Sequence, residues 1–381
     1  MEKENENKIK MQSIENDLRN ENPRIRTTAL DYLGKNKMRG DLIVSSFKDP
    51  NSYVRVAAIK ALGKFLPEDL SNEQIDIFSM GLDDPNKFVC QETIRSITYM
   101  RTKKFNKQLV ELLNDKNAHI VTEAMTAIKK LRIEESSDQL IQLLSSSNYY
   151  ILVGAISAVA FLGINQAEPI ILKLLKEYYD VSKDKKSTLI LRELVIACGN
   201  LKISNSIGLL IAIAKNKVGL RGKAVYALLQ LEAFDAAPAL IELLSDPSKK
   251  LRTFVIILLT KANYREALPL IRPYLDDPIP YIRKASLIAI NNFNDELSID
   301  KVKDMAFEDR NPFNRILAVD VLVSLLKEKC YPYLVELLND TNSEIRNICE
   351  KKILEFGKKF SDKQYNRDNA QQTEKDQKSI Y

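Results

Sequence analysis

Tryptophan is absent from the chain and histidine occurs once, at His119. A single histidine excludes multi-histidine metal sites and leaves almost nothing from which to build histidine-based acid–base machinery. Glycine is scarce, at 11 residues; all-β folds need turn glycines at short intervals, so the shortage points to helices. The four cysteines, Cys90, Cys198, Cys330 and Cys349, include no Cys-x-x-Cys pair and fit no zinc module. Each falls in an apolar helical context, where a free thiol behaves as a small hydrophobe. No glycine-rich phosphate loop occurs, and no His-Glu-x-x-His or Ser-His-Asp arrangement. His119, in DKNAHIV, reads as a solvent-exposed turn residue. Long apolar runs are missing too. The uncharged stretch from Leu140 to Ala167 contains YYILVGAISAVAFLG, Tyr149 to Gly163, which at 15 residues is short of the roughly 20 that a spanning helix needs. It reads as a buried helix, and no transmembrane segment is expected. Nor is a catalytic residue, a metal or a cofactor.

Charge of one sign is not in excess. Lys and Arg total 57 against 51 Asp and Glu, a net +6 over 381 residues. The basic residues are dispersed rather than gathered into a stripe, so there is no specific nucleic-acid signal. The opening MEKENENKIK lacks the apolar core of a signal peptide, and a cytoplasmic location is the expectation.

What the chain does contain is a repeat. DPNSYVRVAAIKALG, Asp49 to Gly63, combines a turn, an apolar residue, an arginine, and small and large apolar residues at helical spacing. The pattern recurs around Arg26, Arg221, Arg252, Arg283, Arg315 and Arg346. Degenerate copies place Cys90, Val121, Leu152 and Leu191 in the arginine slot. Successive slots are 29, 35, 31, 31, 39, 30, 31, 31, 32 and 31 residues apart. Each period also holds a second amphipathic segment, such as QLVELLND, QLIQLLSS, ALIELLSD or YLVELLND, with apolar residues at i, i+3 and i+4. A period near 31 accommodates two helices of about three turns and two short connections. One such hairpin cannot bury its apolar stripe alone, whereas stacked hairpins can. The fold class expected is all-α: a right-handed α-solenoid of about eleven hairpins, with helices starting near residues 51, 86, 248 and 279.

Asp49, Asp84, Asp246 and Asp277 each precede a proline and lie six residues before an arginine slot. Proline suits a helix's first turn and Asp accepts hydrogen bonds from the free amides there. Asp and Arg co-occur at 49/55, 246/252, 277/283, 309/315 and 340/346, which predicts a repeated charge-assisted contact involving Asp49, Asp246, Asp277, Asp309 and Asp340 or their counterparts in neighbouring repeats. The arginines are expected to be structural.

From about Asn20 to Phe356 the repeats resemble HEAT repeats, particularly the short-period HEAT-like repeats of phycobilisome bilin lyases; YVRVAAIKALGKF is such a phrase. The resemblance implies a protein-binding scaffold or adaptor that takes a helix or peptide of another protein in its concave groove. A bilin lyase-like subunit or chaperone acting on a phycobiliprotein is the alternative, although the tryptophan-containing N-terminal motif associated with those lyases is missing. Inner helices would line the groove. Five residues after the arginine slot, four consecutive copies carry Ile196, Tyr226, Ile257 and Ile288, while copies toward both ends are polar or charged. These four are the candidate binding residues. The step of 39 inserts about eight residues, read as a lysine-rich loop within residues 178–187. Residues 1–12 read as a polar N-terminal extension, 13–357 as the solenoid, and 358–381 as a disordered polar tail.

Overall fold

The computed structural model describes residues 2–181 and 184–357, with side chains from residue 9 onward. The chain divides into two units, Met1–Ile203 and Ser204–Tyr381. Among the described residues every regular element is helical.

The first unit holds six hairpins. Helix α1 (Glu2–Leu18) pairs with α2 (Pro23–Lys35), α3 (Gly40–Ser46) with α4 (Ser52–Leu62), and α5 (Asn72–Leu82) with α6 (Lys87–Met100). Then α7 (Asn106–Glu111) pairs with α8 (Ala118–Leu131), α9 (Ser137–Leu143) with α10 (Tyr149–Leu162), and α11 (Glu168–Val181) with α12 (Lys185–Asn200). The arginine-slot helices α2, α4, α6, α8, α10 and α12 stack on one another in chain order and form one continuous layer. Each presents a stripe inward. In α8, Ile120, Val121, Ala124, Met125, Ala127 and Ile128 are all buried, the i, i+3, i+4 spacing of a one-sided helix.

The second unit repeats the plan. Helix α13 (Ile207–Asn216) pairs with α14 (Arg221–Gln230), and the 3₁₀ segment Pro238–Ser245 with α15 (Lys249–Lys261). Next, α16 (Leu268–Ile271) and its 3₁₀ continuation pair with α17 (Pro280–Asn292), and α18 (Ile299–Glu308) with α19 (Pro312–Leu326). Helix α20 (Tyr331–Leu337) precedes helical residues 343–357. Helices α14, α15, α17 and α19 form the slot layer here.

Helices α4, α6, α15 and α17 begin one residue after the positions expected from sequence. The prolines of the Asp–Pro pairs lie outside the helices, and the first-turn role falls to the next residue. Asn51, Asn86, Asn117, Asn148 and Asn311 are N-caps whose side-chain oxygens accept the N–H two residues on, at 2.9–3.0 Å. The aspartate takes the turn before the cap: Asp49 Oδ1 accepts the Asn51 N–H at 2.9 Å and Asp84 Oδ1 that of Asn86 at 2.8 Å.

One expectation needs correction. The 178–187 insertion is mostly helix, not loop: Tyr178–Val181 end α11, and Lys185 opens α12 behind the cap Asp184, whose carboxylate accepts the Lys186 N–H at 2.8 Å. Ser182 and Lys183 lie outside the described residues. The N-terminal extension is helical, because α1 runs from Glu2 through it. Residues 358–381, read as a tail, lie outside the described residues.

Slot helices end in a left-handed residue eleven positions after the slot: Lys37, Arg101, Arg132, Gly163, Lys202, Glu232, Asn263 and Asn294. The following amide then reaches back to a buried carbonyl, as Ala233 N–H does to Leu228 at 3.0 Å, which closes the free end of the helix. Left-handed backbone suits Gly and Asn and costs other residues about 1 kcal/mol. Glu232 has a second disadvantage, since its charge faces the negative end of α14. Glu232→Gly is therefore expected to stabilise the second unit by about 1 kcal/mol, seen as a higher midpoint in urea denaturation followed by circular dichroism.

Candidate functional site

The arginine slots form a ladder, and its register differs from a pairing within one repeat. Arg55 Nε and Nη2 donate to both carboxylate oxygens of Asp84, at 2.7 and 2.9 Å. Its Nη1 donates to the carbonyls of Asp49 and Pro50, at 3.0 and 3.2 Å. The aspartate six residues before an arginine thus contributes its backbone, while the carboxylate comes from the next repeat. Arg26 grips Asp49 in the same way, at 2.7 and 2.9 Å, and Arg283 grips Asp309, at 2.7 and 2.6 Å. Arg221, Arg252 and Arg315 each make one carboxylate contact, to Asp246, Asp277 and Asp340 at 2.7, 3.2 and 3.2 Å, and leave a buried Nε without a partner. Arg346, in the last described helix, donates to the Asp340 and Thr341 carbonyls at 2.7 and 3.1 Å.

The ladder stops where the slot turns apolar. Cys90 fills the guanidinium's place, and burial, with Asp115, Asp83 and Asp84 nearby, pushes its thiol up to about 12. Cys330 and Cys349 are pushed up to about 11, chiefly by burial. All four cysteines are buried, and Cys90, Cys330 and Cys349 stay protonated at neutral pH. A separate pair, which the sequence reading missed, joins Arg272 to Asp295 at 2.8 and 2.7 Å.

The opposite face of the slot layer carries the candidate binding residues. In the second unit Tyr226 is 49% exposed and Ile288 45%, with Ile257 half-buried between them on the intervening helix. The Tyr226 ring packs against Phe254, centroids 5.3 Å apart. Exposed Lys223, Lys261 and Lys284 border this strip, and none makes an ion pair among the described residues. Ile196 is half-buried in the first unit.

In the first unit the same face opens into a groove of about 850 Å³ across α4, α6 and α8. Its walls carry Lys60 from α4 and Lys64 from the turn after it, Arg95 and Tyr99 from α6, Arg101 at the end of α6, and Lys130 from α8. Glu92 and Glu123 lie among them. Burial raises the Glu92 carboxyl despite the nearby Arg95 and Lys60. The column five residues after the slot contained Lys60 and Arg95. The column four residues further on, one helical turn along the same face, reads Lys64, Tyr99 and Lys130 and would have shown the groove. The sequence reading also missed a row of exposed rings two residues before the slot, Tyr53, Phe88, His119 and Tyr150, each on the residue whose N–H the Asn cap accepts. His119 belongs to the first turn of α8 rather than to the loop before it.

Fold and surface together define a helical-repeat protein, an α-solenoid in which each unit carries an Arg–Asp ladder and an exposed face of its slot layer. Family models place it further: one described as HEAT repeats matches residues 237–322, and one described as HEAT repeat matches residues 41–68. The chain is an all-helical solenoid with a HEAT-repeat segment in each of its two units. No curated protein matches it. A crystal structure of an engineered protein matches with a TM-score of 0.50 and 15% identity, covering 90% of this chain and 97% of the other. The X-ray structure of Escherichia coli YibA matches with a TM-score of 0.49 and 18% identity, covering 74% of this chain and 98% of the other. At 15% identity the likeness to the engineered protein is one of fold. No helix of the described residues is long and apolar enough to cross a membrane.

Proposed function

We propose that this protein is a non-enzymatic scaffold that binds a helix of a partner protein on the exposed face of its slot layer. The observation that carries the reading is the strip Tyr226–Ile257–Ile288, apolar at equivalent positions of three successive repeats and open to solvent at both ends. Neighbouring helices lie about 10 Å apart, so the three residues span about 20 Å, the length of a helix of about 13 residues at 1.5 Å per residue. Apolar side chains supply the burial, and Lys223, Lys261 and Lys284 favour a partner helix with acidic flanks. Ile196 occupies the equivalent slot of the first unit and is assigned the same role there. The buried free thiols Cys90, Cys330 and Cys349 fit a reducing compartment such as the cytosol.

The test is affinity capture followed by mass spectrometry, with wild type and an Ile257→Asp/Ile288→Asp variant compared on the partner recovered. Two buried carboxylates in an apolar interface are expected to weaken binding by about 3 kcal/mol or more, roughly a hundredfold, with the circular dichroism spectrum unchanged. A folded variant that keeps full affinity for that partner removes the strip from the interface.

A further inference from the structure

The groove across α4, α6 and α8 has a different chemistry from the apolar strip, and its charges are unevenly satisfied. Arg95 is held by Glu123 at 2.9 Å and faces Glu92 at 3.9 Å. Lys64 reaches Asp31 at 3.5 Å. Lys60, Arg101 and Lys130 make no ion pair among the described residues, although each lines the groove. The three free cations come one from each of three consecutive slot helices or their ends. Beside them Tyr99 is 78% exposed, an aromatic ring left in water at the centre of a basic groove. Arg101 also holds left-handed backbone, φ 53°, where Gly or Asn would be less strained.

We propose that this groove is a second docking site, for an extended acidic segment of a partner protein. Helices about 10 Å apart, with the backbones of Lys60 and Arg101 also offset along the helix axis at 1.5 Å per residue, place successive free cations about 10 to 13 Å apart, a range that the long side chains can close to about 10 Å. An extended chain advances about 3.3 Å per residue, so a carboxylate at every third residue meets each cation in turn, over about seven residues. Tyr99 then packs on the aliphatic or aromatic side chains between the acids. A nucleic acid fits less well. Glu92 and Glu123 stand among the cations and repel a continuous run of phosphates, whereas spaced carboxylates pass between them. Three cations are also few beside the six to ten or so phosphate contacts from which nucleic-acid affinity is usually built. This inference rests on the scaffold reading but not on the Tyr226 strip.

The experiment is a fluorescence-anisotropy titration of the full chain with three labelled probes. One is a decapeptide with glutamate at every third position, one its glutamine counterpart, and one a single-stranded DNA of about ten nucleotides. The glutamate peptide is expected to bind, to weaken several-fold as salt rises from about 50 to about 300 mM, and to bind in preference to the other two. Lys60→Glu/Arg101→Glu/Lys130→Glu is expected to weaken it about tenfold or more. Should that variant misfold, Lys60→Gln/Lys130→Gln leaves the end of α6 untouched and is expected to weaken binding about threefold. The Ile257→Asp/Ile288→Asp variant is expected to bind the peptide as wild type does, which separates this site from the strip. No binding of the glutamate peptide, unchanged affinity in a folded charge variant, or tighter binding of the DNA would each overturn the proposal.

Discussion

Arg283→Ala is expected to destabilise the second unit by about 3 kcal/mol. The arginine side chain is 12% exposed and its Asp309 partner 2%. Removing the guanidinium leaves a buried carboxylate without its counter-charge, and breaking such a pair costs more than the pair itself contributes. The Asp277 carbonyl loses its donor at 2.8 Å as well. Asp309 keeps only the Asn311 N–H at 2.8 Å and the Asn314 side chain at 3.4 Å. The ladder supplies its own controls. Arg252 makes a single carboxylate contact at 3.2 Å, so Arg252→Ala is expected to cost less, about 2 kcal/mol. For Arg346, which donates to carbonyls, the figure is about 1 kcal/mol. Arg283→Lys should not rescue, because an ammonium cannot reproduce the two-pronged geometry. Urea denaturation of the four variants measures the series; an Arg283→Ala loss below about 0.5 kcal/mol would show that the ladder contributes no more than surface pairs do.

The repeat was legible because packing imposes it. Val54, Ala57, Ala58, Ile59, Ala61 and Leu62 are all buried in α4, and Arg55 is bound to the ladder, so the spacing of YVRVAAIKAL follows from its geometry. The same fact limits what the phrase says about activity. Most of the residues that resemble those of a bilin lyase here are the ones that make any such hairpin stack.

The ladder's register was not legible. An arginine and an aspartate six residues apart in each copy are compatible with pairing inside a repeat. In the structure that spacing brings Arg55 to the Asp49 carbonyl, while the Asp84 carboxylate, 29 residues away, completes the contact. Only the stacking of consecutive slot helices decides between the two. The insertion was misread for a related reason. Its lysines suggested a loop, but Tyr178–Val181 continue the pattern of α11, and helix geometry accepts lysines on a solvated face. Division into two units leaves no trace in the period, since the slots at 191 and 221 are separated by an ordinary 30 residues. Of the candidate surface, the apolar strip was visible from one column of repeat positions. The groove needed two columns read together, because one helical face is built from residues i and i+4.

Acidification is expected to dissolve the carboxylate contacts of the second unit together. Burial pushes the Asp309 carboxyl up, but the Arg283 guanidinium and the Asn311 amide outweigh it and hold the group below its usual value. Asp246 follows the same balance, with burial opposed by the Ser248 amide and by Arg221. Asp295 is held low first by Arg272, against burial. A carboxyl whose pKa is lower folded than unfolded contributes stability above the unfolded value, near 3.9, and loses it as pH falls through the folded value. Stability should therefore be flat in this respect between about pH 7 and about pH 5 and fall below about pH 4. Three groups set an upper limit of about 4 kcal/mol per pH unit for their share of the slope. Asp295→Asn/Asp309→Asn should be less stable than wild type at neutral pH and less sensitive to acid. The two curves of unfolding free energy against pH, from urea titrations, should converge as pH falls toward 2, because protonation removes from the wild type the charges that the substitutions have already removed. Parallel curves across that range would mean that these carboxylates bind protons equally in the folded and unfolded chain, and that their charge is not what stabilises the second unit.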